Sequence, residues 1–137
     1  MAGRLLASWI RNSCNTKLVK TVLLIDKDLG LIFGLGRVLD QAGYTALPAK
    51  TLQDGKALLA QLKISADIVV LNPGLEGALE FAQELRASQN YVRIIALVDH
   101  ESWTVLPDTI DASYCKPEEV DSFARLEWLD VVQSVIA

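Results

Sequence analysis

Ala66-Asp67-Ile68-Val69-Val70-Leu71-Asn72-Pro73-Gly74 contains a strand with a marked end. Four β-favouring apolar residues run from Ile68 to Leu71, stop at Asn72, and are followed by the strand-breaking pair Pro73-Gly74. An apolar run with no polar interruption implies burial on both faces, as in a parallel sheet covered by helices. In such a sheet the carboxyl ends of the strands line the functional crevice, so a polar residue there is well placed for chemistry. Asn72 brings little of its own. A carboxamide is uncharged at neutral pH, a poor nucleophile and a weak ligand for a hard cation.

Outward from this strand, strand and helix signals alternate over residues 20–137. Thr21 to Ile25 is a β-branched run, and Leu29 to Leu39 follows with apolar residues at helical spacing until Gly43 stops it. Tyr44 to Pro48 reads as an edge strand. Thr51 is the expected N-cap of a helix with the stripe Leu52, Leu58, Leu59 and Leu62. Gly77 to Ala87 predicts an amphipathic helix through Leu79, Phe81, Ala82 and Leu85, and Arg93 to Val98 a further apolar strand. His100 to Ile110 predicts a short or irregular helix broken at Pro107. Ala112 to Cys115 is the expected last strand, and Pro117 at a first helical position opens a helix carrying Val120, Phe123, Leu126, Trp128, Leu129, Val132 and Ile136. Right-handed βαβ crossovers turn this order into a five-stranded parallel sheet with helices on both faces.

With 137 residues, 51% of them apolar, the chain makes one compact domain with a real core. Its net charge of -4 is unevenly spread. Arg4, Arg11, Lys17 and Lys20 lie in the first twenty residues with no acid, leaving nine basic against seventeen acidic groups elsewhere, a net of -8. That balance excludes nucleic-acid binding by the body, because phosphate contacts need a basic face. Cys14 and Cys115 have no metal-ligand spacing and fit a reducing cytoplasm, with Cys115 a core residue. His100 has no partner at metal-ligand spacing, and no apolar run reaches the ~20 residues of a membrane span. The first segment, 1–19, is an extension. Leu5, Leu6, Trp9 and Ile10 share one helical face opposite Arg4, Arg11 and Asn12, which predicts an extra amphipathic helix over residues 2–13 docked on the domain or a partner chain. Membrane-surface attachment and organelle targeting are the other readings of a basic, acid-free leader.

Asp26 and Asp28 follow the first strand, Asn72-Pro73-Gly74-Leu75-Glu76-Gly77 the third, and Lys116-Pro117 the fifth. In this placement the chain resembles the response-regulator receiver (CheY-like) family across about residues 20–137. The resemblance implies an α/β, flavodoxin-like, doubly wound sheet of strand order 2-1-3-4-5. It also implies an acidic pair after strand one and an aspartate after strand three, which in the family hold magnesium and accept a phosphoryl group. Here Asp26 matches the first acid, but Lys27 stands at the second and Asp28 comes one place late. A lysine ammonium repels a divalent cation by several kcal/mol at about 4 Å and intermediate dielectric. Asn72 matches the acceptor, or Val69 does if Pro73-Gly74 pins the alignment, so neither register supplies an aspartate. Val98 and Asp99 replace the family's small hydroxyl residue after strand four. Ser113 stands at the aromatic switch position, with Tyr114 shifted by one and so aimed at the opposite face. Lys116 alone is intact, and with no anion present it is expected to pair with Asp26.

The expected function is therefore a pseudo-receiver, not an enzyme, that acts by protein–protein contact without phosphorylation, cofactor or metal. Asp26, Lys27, Asp28, Asn72, Val98 and Lys116 would form its degenerate phosphorylation pocket. Its partner would be a signalling protein in the cytoplasm or a second copy in a homodimer, with Trp103, Tyr114, Phe123 and Trp128 as the interaction surface on the fourth helical segment, last strand and last helix. Two alternatives stand beside it. One is a phosphorylatable regulator with an unconventional acceptor among Asp26, Asp28 and Asp99. The other is a flavodoxin-like binder of a small ligand, against which Gly34 and Gly36 lie too far into the first helix to close a phosphate cradle.

Overall fold

Strand residues of alternating parity feed two separate cores. In the computed structural model, which describes residues 20–88, 91–99 and 106–136, the strands are β1 (Thr21–Ile25), β2 (Thr45–Ala49), β3 (Ile68–Leu71), β4 (Arg93–Val98) and β5 (Ala112–Cys115). All pair in parallel in the order β2-β1-β3-β4-β5. Four helices cover the sheet: α1 (Leu29–Gln41), α2 (Leu52–Leu62), α3 (Ala78–Ser88) and α4 (Ser122–Ile136). Val22, Leu24, Ile68, Val70, Ile95 and Leu97 face α1 and α4. Leu23, Ile25, Val69, Leu71 and Ile94 face α2 and α3. With a strand period of two, this is why the strands are apolar at almost every position.

Local chemistry sets the element ends. Asp28 caps α1 by accepting from the Leu31 N–H at 3.1 Å, and Thr51 caps α2 by accepting from Asp54 at 3.0 Å. Gly43 closes α1 at φ 98° in a Schellman motif, in which Gly43 N–H reaches Asp40 O and Tyr44 N–H reaches Leu39 O. Gly55 lets α2 lie close on the sheet, since a Cβ there would come within 3.0 Å of Ile25 Cδ1. At the amino ends of the strands, Asp67 and Asp111 each make a polar clamp. Asp67 Oδ2 accepts from Thr21 N–H while Asp67 N–H donates to Thr21 O, and Asp111 repeats the pattern with Ile94. Arg86 then braces Asp111 at 2.6 Å and also donates to Val92 O and Thr109 O.

Several expectations need correction. The last helix starts at Ser122, not at Pro117, because Asp121 supplies the cap: its Oδ1 accepts from Ala124 N–H at 2.9 Å. Pro117 to Val120 is a loop. Leu62 of the second stripe is half exposed, and Leu79 lies at the exposed margin of α3. Residues 106–110 form a turn in which Ile110 N–H reaches Pro107 O, and the rest of the expected helix, His100 and Trp103 included, lies outside the described residues. The leader 1–19, with its expected helix and Cys14, also lies outside them. Among the described residues no helix is long and apolar enough to cross a membrane.

Trp128 and Tyr114, expected on the interaction surface, are core residues. Trp128 is fully buried, donates from Nε1 to Leu35 O at 3.3 Å and lies 5.0 Å from the Tyr114 ring. Tyr114 is buried too, and its hydroxyl donates to Ala124 O at 3.2 Å. Together they join β5, α4 and α1, because large aromatic rings with a satisfied polar tip are favoured in just such a three-element junction. Cys115, expected in the core, is exposed, since strand alternation gives the buried position to Tyr114. Trp128→Ala is expected to cost about 3–5 kcal/mol and more than about 10 °C in melting temperature, whereas Phe123→Ala, outside the sheet core, is expected to cost less than half as much. Thermal melts of the two variants check this; equal losses would contradict the assigned core.

Candidate functional site

Four strands end side by side, and the residues that follow β3, β4 and β5 line one crevice, with Asp26 after β1 buried beneath it. The ladder continues past the strand ends through Asp26 N–H to Ala49 O, Asn72 N–H to Ile25 O and Lys116 N–H to Val98 O. These bonds hold the backbone of the site as firmly as the sheet itself. The crevice encloses about 360 Å³ between Lys27, Asn72, Val98, Asp99 and Lys116, with Pro73 to Leu75, Leu79, Leu106 and Pro107 as its walls. Asn72, not Val69, therefore occupies the site: Val69 is buried in mid-strand, paired with Leu23 and Ile94.

Asp26 is the one fully buried charged side chain among the described residues. Its Oδ1 accepts the Asp28 N–H at 2.8 Å, and its Oδ2 meets the Lys116 ammonium at 2.9 Å with no neutral donor beside it. Lys116 also lies 3.5 Å from Asp99 Oδ1, so two carboxylates bracket one cation. Burial pulls the Lys116 pKa down, but the hydrogen bond and charge of Asp26, with the charge of Asp99 behind them, raise it above its ordinary value. Desolvation first, then the charges of Glu127, Cys115 and Asp121, push the Tyr114 pKa up to about 12.

The other expected members divide. Lys27 is exposed and lines the crevice. Asp28 is turned away from it, since its carboxylate is engaged with the N-terminus of α1. Asn72 makes an Asx turn: Oδ1 accepts Gly74 N–H at 2.8 Å, and Leu75 N–H reaches Asn72 O. Val98 closes the floor as an apolar residue. Asp99 as a partner of Lys116 was not legible in the sequence, which offers only an acid after a strand.

No protein-family model and no curated protein matches the sequence. Solved structures do. The chemotaxis response regulator CheY4 of Vibrio cholerae superposes with a TM-score of 0.68 at 18% identity, over 85% of this chain and 98% of that one. An orphan response regulator of H. pylori gives 0.68 at 18%, over 86% and 97%. TrrA of Thermotoga maritima, solved in complex with Mg(2+)-BeF, gives 0.63 at 23%, over 85% and 99%. This chain has the receiver fold. At such identities the likeness reaches no further than the fold.

The magnesium ion that the receiver resemblance implies does not fit the residues present. Asp26 spends both oxygens on Asp28 N–H and Lys116, Asp28 caps a helix, and Asn72 Oδ1 holds its own turn. Lys27 adds a positive charge where a second acid would be needed.

Two expectations follow from the ion pair. Lys116→Met strands the buried Asp26 carboxylate and is expected to cost about 3–5 kcal/mol, while Asp26→Asn with Lys116→Met recovers most of that loss. Denaturant titrations of the single and double variants measure it, and additive losses would refute the pairing. Lys116 and Tyr114 both have folded-state pKa values above their unfolded ones. Their contributions are complete below about pH 10 and are lost as pH rises above it, for Tyr114 through its folded-state value of about 12. Stability measured from pH 9 to 12 should fall along with the rise of tyrosinate absorbance; a flat profile across that window would contradict both assignments.

Proposed function

We propose that this chain is a pseudo-receiver: a receiver-fold module of signal transduction that works by protein–protein contact and carries out no phosphoryl transfer. The observation that carries this reading is the state of Lys116. In the receiver family this cation answers an incoming anion, whereas here Asp26 and Asp99 already answer it from inside the chain. No carboxylate follows β3, and the amide that does is committed to a turn. A phosphoryl group would have to displace an internal ion pair, find no nucleophile and meet Lys27 where a metal would sit.

The unconventional acceptors weigh less. Asp26 is sealed under the crevice, Asp28 points to a helix terminus, and Asp99 is engaged with Lys116. For the contact surface, the exposed aromatic Phe123 remains from the sequence reading, joined by its helix neighbour Leu126; both are about two-thirds exposed. Signalling proteins of the cytoplasm are the proposed partner class.

Acetyl phosphate, or beryllofluoride with magnesium, is expected to leave mass, fluorescence and melting temperature unchanged. Asn72→Asp alone is also expected to remain inert, because Lys27 still disfavours the metal and Val98 has no hydroxyl for the phosphoryl oxygen. An acid-labile gain of one phosphoryl group on any aspartate of the wild type would overturn the proposal. Robust magnesium-dependent labelling of the single variant would refute the role given to Lys27.

A further inference from the structure

Helix α4 is apolar on two sides. Ala124, Trp128 and Val132 bury one side against the sheet and α1. On the other side Phe123 and Leu126 are 68% and 66% exposed, Leu129 is half buried, and Ile136 is 37% exposed at the far end. These four residues trace one slanting stripe along the helix, and an exposed apolar stripe of this length marks a surface that something covers. Acids edge the stripe. Glu127 and Asp130 follow Phe123 and Leu126 by one turn, and Glu118, Glu119 and Asp121 surround Phe123 in a hollow of about 480 Å³.

We infer that the covering element is the chain's own leader, with Leu5, Leu6, Trp9 and Ile10 laid along the α4 stripe. Three observations support that occupant. The leader, residues 1–19, carries three basic residues and no acid, opposite a stripe edged by acids on a body of net charge -7. Attraction of this kind acts over about 10 Å at 0.1 M salt. The tether also reaches. The described chain begins at Lys20, at the amino end of the sheet, where α4 also ends: Arg93, the first residue of β4, donates from Nε to Val135 O. Residues 12–19 extend to about 26–29 Å, and α4 is about 22 Å long, so the apolar residues of the leader can lie anywhere along it. Of the other exposed apolar residues, Leu62 and Ile64 are flanked by Gln61 and Lys63, and Phe33 shares a hollow with Arg37 and Arg125, so neither place offers a basic segment any attraction.

This seat deepens the proposed function, because it places the leader over the surface that would meet a partner. Phosphorylation of the crevice would overturn the pseudo-receiver reading and leave the seat standing, since none of the crevice residues touches it.

Hydrogen exchange of the full chain, read by mass spectrometry on the peptide spanning residues 2–13, tests the seat. In the wild type this peptide should exchange about tenfold more slowly than in the double variant Phe123→Asp/Leu126→Asp, whose sites are exposed and leave the core intact. Leu62→Asp should leave the protection as it is. Equal exchange in wild type and double variant would overturn the inference. So would protection that rises with protein concentration, which places the leader on a second copy, and so would protection gained only on addition of anionic vesicles, which makes it a membrane segment.

Discussion

Every strand residue here must be covered from one side or the other, and that constraint organises the rest. A sheet apolar on both faces needs two layers of helix, and a chain that enters an interior strand first must lay helices on both faces to supply them. Helix α1 takes one face, α2 and α3 the other, and α4 returns to the first. The reversal between α1 and α2 is what opens the crevice at the carboxyl ends of β1 and β3, because the connections there leave in opposite directions. The place of the site thus follows from hydrophobic coverage alone. Its chemistry follows from a handful of side chains placed at the strand ends.

Among these, Asp26 has the least freedom. A carboxylate with no solvent contact is tolerable only if its charge is met, and at 2.9 Å the ammonium of Lys116 meets it across two strands, from β1 to β5. The same contact makes the crevice a poor receptor for anions. A cation already shared between two internal carboxylates has little attraction left for a third negative group, and the low exposure of Lys116 fixes it there. Architecture common to signalling receivers is thereby combined with an interior that is electrostatically self-contained.

The sequence made the sheet legible because apolar runs bounded by Gly, Pro and polar residues leave little choice: β1, β3, β4 and β5 lie where their runs lie, and β2 is displaced by one residue. The pairing of Asp26 with Lys116 was legible as well, being an acid and a base at the carboxyl ends of two strands of one sheet. Where the reading failed, tertiary competition decided. Helical spacing cannot say which of two apolar faces of α4 is buried, so Trp128, expected on the interaction surface, lies in the core while Phe123 and Leu126 are exposed. Pro117 was outweighed as a helix start by Asp121, whose carboxylate satisfies a backbone N–H that a proline ring cannot. Tyr114 and Cys115 differ by one residue, and one residue on a strand is the difference between core and solvent.

The clamps made by Asp67 and Asp111 have a consequence for alignment. Sliding one strand past its neighbour by two residues keeps every side chain on its proper face, and among Val, Ile and Leu it costs little in packing. A hydrophobic sheet of this kind is therefore nearly indifferent to such a slip. Each aspartate precedes its strand and exchanges two hydrogen bonds with one residue of the adjacent strand, Thr21 or Ile94. A two-residue slip would break both bonds and leave a carboxylate facing the wrong rung. These two acids act as index marks for the ladder, so that the opposite ends of the strands, some five residues away, arrive together where Asp26 and Lys116 must touch.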